Sequence, residues 1–84
     1  AYALRVQLQD GATFTEVAVL TALGVRVPDV AWASAAFIAR HGDTTPLPQA
    51  PEICVEIKSP SNPKREMVAK ADAFLAAGAR EVWI

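Results

Sequence analysis

Hydrophobic and polar residues alternate cleanly at the start of the chain. Tyr2, Leu4, Val6 and Leu8 interleave with Ala3, Arg5, Gln7 and Gln9, the period-two pattern of a half-buried strand. Asp10-Gly11 then signals a turn. Phe14 to Thr21 mixes β-branched and apolar residues and predicts a second strand pairing with the first, with a short helix as the alternative because the alternation is imperfect. Gly24 ends that run. In Val25 to Ser34, parity places Val25, Val27, Asp29, Ala31 and Ala33 on one face. Pro28 cannot donate to a ladder, so an edge, a strand start or a bulge is expected there. Ala35 to Arg40 predicts a helical turn, and His41 to Pro51, with three prolines and Gly42, an exposed loop.

Pro51 to Pro60 is the most strongly patterned stretch. Its β-branched core bounded by prolines predicts a strand, central in a sheet and covered on both sides. Ile53, Val55 and Ile57 share one face, and Cys54, Glu56 and Lys58 the other. Asn62 as N-cap and Pro63 as first residue predict a helix start. Met67, Ala71, Phe74 and Leu75 recur at helical spacing, and Gly78 suits the end. Lys70 lies on the Met67–Phe74 stripe, where a lysine either snorkels to water or faces a partner. Glu81 to Ile84 predicts a last strand. Strand, helix, strand over this distance implies a right-handed crossover and a parallel pair, so the fold class is α/β: a mixed sheet with one main crossover helix.

Composition narrows the picture. The 84 residues suffice for a single small domain, and 52% hydrophobic against 20% charged excludes a disordered tail. The abrupt ends are expected of either a fragment of a larger domain or a short version of a larger fold. A formal net charge of -1 excludes a chain-wide basic field, so any phosphate contact is local. Lys64 and Arg65 at the helix start are either such a contact or a solvated first turn. The single cysteine, Cys54, reads as a small core residue and fits a reducing, cytoplasmic compartment. No apolar stretch is long enough to span a membrane. His41 has no companion at metal-ligand spacing and reads as a loop residue.

Chemistry concentrates in Asp29 and Glu56-Ile57-Lys58. Burying Glu56 and Lys58 is costly unless they pair with each other or with a ligand. Asp29 taken alone reads as turn chemistry beside a proline. Two carboxylates on neighbouring strands can also hold Mg²⁺, with the Ile57 carbonyl as a further oxygen. An amine beside them can stabilise charge at an attacked phosphate.

The wider text adds specificity. Val27 to Trp32, then Ala50 to Asn62 with its Glu-Ile-Lys-Ser-Pro-Ser-Asn, then Lys70, then Ala77 to Ile84 resembles the Uma family, grouped with restriction endonucleases in the PD-(D/E)XK nuclease superfamily. The resemblance runs from about Gly24 to the C-terminus. It implies a restriction-endonuclease-like core in which Asp29 and Glu56 bind metal, Lys58 assists the attacking water, and Lys70 and Phe74 match a recurring helix lysine and aromatic. The implied activity is Mg²⁺-dependent endonucleolytic hydrolysis of DNA, with Mn²⁺ as a substitute cation. Many relatives have an apolar residue where Lys58 stands, so this chain is closer to the superfamily pattern than they are. Two departures cut the other way: no opening acidic helix is visible, Glu16 being a weak substitute, and the strands expected after Ile84 are missing. The rival is a non-catalytic dimerising or DNA-binding module that keeps the fold without the chemistry. A chain this short with so apolar a composition is also expected to form a homodimer.

Overall fold

The computed structural model describes residues 10–57 and 59–84. The strand read over Tyr2 to Gln9 and the side chain of Lys58 lie outside the described residues. Strand β1 (Gly11–Thr15) pairs antiparallel with β4 (Val30–Ser34). A Cβ on Gly11 would run into the Ala33 carbonyl and the Trp32 ring, so the close approach of β1 to β4 requires glycine there. The predicted strand from Phe14 to Thr21 is broken. Glu16 turns the chain with a φ of 56°, and the remainder forms β2 (Val19–Thr21), which belongs to a separate two-stranded hairpin with β3 (Gly24–Arg26). The Thr21 hydroxyl donates to Gly24 O at 2.7 Å and accepts from Leu23 N–H, closing the hairpin.

After β4 the chain enters helix α1 (Ala35–His41), capped by the Ser34 hydroxyl, which accepts from Phe37 N–H. The predicted turn is thus a seven-residue helix. His41 ends it, half-buried with its ring edge-on to Phe37, rather than solvated in a loop. The segment that follows is not wholly exposed either. Leu47, Ala50 and Pro51 are buried, and Leu47 is tied down by two backbone hydrogen bonds of 2.9 Å: its carbonyl accepts from Leu20 N–H in β2 and its N–H donates to Ala18 O just before that strand.

Strand β5 (Ile53–Val55) is shorter than its apolar text but central, between β4 antiparallel and β6 (Glu81–Trp83) parallel. Helix α2 (Lys64–Ala76) makes the crossover, giving the sheet order β1-β4-β5-β6. The start of α2 differs from expectation. Asn62 Oδ1 is engaged by the Ser59 amide and hydroxyl, so it cannot cap the helix, and Pro63 occupies the N-cap with a φ of -62°. The helix ends as expected for glycine: Gly78 has a φ of 117°, its N–H reaches Leu75 O, and Ala79 N–H reaches Phe74 O. Phe74 is fully buried in one cluster with Cys54, Val19, Ala33, Phe37 and Leu47. Burial and Glu56 push the Cys54 thiol up to about 12, so it is inert core. No helix among the described residues is long and apolar enough to cross a membrane.

Candidate metal and phosphate site

The alternation of β5 decides where the chemistry sits. Cys54 points into the core, and Glu56, two residues on, leaves the strand on the same side beneath α2. Glu56 is only 4% exposed. Pro28 lies in the link between β3 and β4, and that link carries Asp29 to the same place. Asp29 Oδ2 accepts from Ile57 N–H at 2.6 Å, which ties the two segments together. Asp29, Glu56, Ile57, Asn62, Glu66, Met67 and Lys70 line one cavity of about 280 Å³.

Lys70 does not snorkel away. Its ammonium lies 2.9 Å from Glu56 Oε1 and 3.2 Å from Val27 O. Glu56 is therefore paired with the helix lysine. Burial pushes the Glu56 carboxyl up; the Lys70 hydrogen bond and charge pull it down; the charge of Asp29 and a hydrogen bond to it push it up again. The balance leaves Glu56 above the usual carboxylate range. Negative charge is under-compensated here, and the donors are hard oxygens without histidine or thiolate. That chemistry suits Mg²⁺ or Mn²⁺ and not zinc. Among the described residues no group of three or more histidine, cysteine or acidic side chains is set to hold a metal, so the remaining coordination positions would fall to water and phosphate.

Two residues escaped the sequence reading. Glu66, on the first turn of α2, is the third acidic side chain on this cavity, whereas Glu16 lies in the turn between β1 and β2 and does not line it. Its helical phase beside Lys70, four residues on, was the available signal. Glu52, at the other end of β5, accepts from Ser34 N–H at 3.0 Å and from the Ser34 hydroxyl. Lys64 and Arg65 are exposed at the start of α2.

A mixed sheet whose parallel pair is joined by a helix packed over a carboxylate-bearing central strand is a restriction-endonuclease-like α/β architecture. The family model Uma2, described as "putative restriction endonuclease", matches residues 1–84. The chain belongs to that family. No curated protein matches it.

Proposed function

We propose that this chain is a divalent-cation-dependent endonuclease of the PD-(D/E)XK type, hydrolysing phosphodiester bonds of DNA with Mg²⁺ and accepting Mn²⁺ in its place. The observation that carries this is the convergence of Asp29 and the buried Glu56 on one cavity with the Ile57 backbone and an ammonium. Asp29 and Glu56 would hold the cation, aided by the Ile57 carbonyl. When bound, the cation supplies Lewis acidity and an activated water. The chain's own residues do the rest. Lys58 offsets negative charge developing on the attacked phosphate. Lys64 and Arg65, beside the positive end of α2, take neighbouring phosphates.

Plasmid nicking with Mg²⁺, Mn²⁺ or EDTA tests this. Wild type is expected to nick only with metal. Lys58→Met is expected to bind Mn²⁺ at least as well as wild type but to nick about a hundredfold more slowly, the scale of losing one charge-stabilising group. A second reading, a non-catalytic DNA-binding or dimerising module, is favoured by one fact: Lys70 already neutralises Glu56 without any metal. Wild type that binds Mn²⁺ yet never nicks would establish it.

DNA and a second copy of the chain are the proposed partners. The hairpin exposes Leu20 by 49%, Leu23 by 50% and Val25 by 48%. Arg26 and Glu66 line one small cavity beside Leu23, so an apolar centre carries both charge signs at its rim. That composition suits a self-complementary pairing across a two-fold axis. Light scattering that shows monomer at every concentration would refute it.

A further inference from the structure

Lys70 touches more than one part of the site. It binds Glu56 at the end of β5 and the Val27 carbonyl in the link between β3 and β4. Asp29 stands two residues beyond Val27, and it accepts from the N–H of Ile57, the residue after Glu56. The contacts close a ring: Lys70 to Glu56, along the backbone to Ile57, across to Asp29, and back through Pro28 and Val27 to Lys70. Pro28 is fully buried and its ring holds φ, so the Val27–Asp29 arc has little freedom.

The charges explain why such a ring is needed. Asp29 and Glu56 carry two negative charges when ionised, and the Lys70 ammonium returns one. A buried carboxylate left without a counter-charge is strongly destabilising. The Lys70 side chain is 30% exposed against 4% for Glu56, so the ammonium can withdraw toward water while Glu56 cannot.

We propose that Lys70 is the built-in counter-ion and brace of the carboxylate cradle. It holds Glu56 directly, and the Asp29 segment through Val27, before a divalent cation arrives. It then yields Glu56 to the cation and keeps its hold on Val27. This rests on the reading of Asp29 and Glu56 as the metal ligands. It makes Lys70 a positioning residue, with a role separate from that of Lys58.

The test uses the full chain with Lys70→Met, Lys70→Arg and the double variant Glu56→Gln/Lys70→Met, read by thermal melting in EDTA and by calorimetric Mn²⁺ titration. Without metal, Lys70→Met is expected to lower Tm by about 5–10 °C, given how melting temperature responds in a chain this small. Lys70→Arg restores most of that loss, because it keeps the charge. The double variant also recovers, because no buried charge is left unpaired. Lys70→Met is expected to bind Mn²⁺ about tenfold more tightly, a competing cation having gone, and saturating Mn²⁺ closes its gap in Tm. A residue that merely packs would not move the metal affinity. If Lys70→Met does not fold in EDTA but folds with Mn²⁺ or as the double variant, the proposal stands. An unchanged metal-free Tm, a double variant no better than the single, or weaker Mn²⁺ binding overturns it. Wild type that binds no Mn²⁺ overturns the two-ligand reading and the exchange with it, while the metal-free comparison decides the counter-ion role separately.

Discussion

The two ends of β5 carry the same side chain in opposite circumstances. Glu52 and Glu56 stand four residues apart, roughly 13 Å along an extended chain. At the first end, burial pushes Glu52 up, but the hydroxyl and amide of Ser34, its own amide and the charge of Arg80 outweigh it and hold the carboxyl below its usual range. At the second end, burial and Asp29 outweigh Lys70, and Glu56 is held above it. Glu52 borders the larger cavity, about 660 Å³, yet its charge is already spent on capping α1 through Ser34. Glu56 borders a cavity less than half that size, where one ammonium, that of Lys70, faces two carboxylates, its own and that of Asp29. Size of cavity is therefore a poor guide here. A carboxylate satisfied by fixed donors builds the fold, and one burdened by burial and a like charge is the better candidate for a cation ligand, as the proposed function requires.

The largest expected effect separates the two ends by activity. Glu56→Gln and Asp29→Asn should each reduce Mg²⁺-dependent nicking by about a hundredfold or more, the scale of losing one charge-stabilising group. Glu52→Gln should leave nicking within a few-fold of wild type. Equal losses at both ends would erase the distinction.

Stability should run the other way. Glu52→Ala leaves the Ser34 amide and hydroxyl without their acceptor and is expected to cost about 1–2 kcal/mol, measured by urea unfolding. Glu56→Gln removes a charge that the fold holds at a cost, so in EDTA at neutral pH it should be neutral or stabilising, a pattern common at functional sites.

The smallest effect is in the pH dependence. The raised Glu56 contributes stability that is fully present below the carboxyl value of the unfolded chain and is lost as pH rises through its folded value. The lowered Glu52 contributes stability present above the unfolded value and lost as pH falls through its folded value. In EDTA, melting curves from pH 3 to 8 should therefore lose their upper slope in Glu56→Gln and part of their acid slope in Glu52→Gln. Slopes unchanged by either variant would contradict the assignment.

Much of this was legible from residue spacing, and the rest was not for identifiable reasons. The central β5, the crossover helix and the parallel β6 follow from a β-branched run, a helical stripe and a glycine stop. The position of Lys70 on that stripe marked it as unusual. The split at Glu16 was invisible, because a left-handed turn at a glutamate has no local signature. The capping by Asn62 was misassigned because Ser59 competes for its side chain. The Ser34–Glu52 contact joins residues 18 apart, and no periodicity reports a contact between strand ends.

The central claim is that Glu56, and not Glu52, is a cation ligand. Calorimetric titration of Mn²⁺ into wild type, Glu56→Gln and Glu52→Gln on matched preparations tests it most directly. Glu56→Gln is expected to weaken Mn²⁺ binding by about a hundredfold, about 2.8 kcal/mol at tenfold per 1.4 kcal/mol, with Glu52→Gln indistinguishable from wild type. Undiminished Mn²⁺ affinity in Glu56→Gln would show that the Glu56–Lys70 pair is structural and that the site is elsewhere.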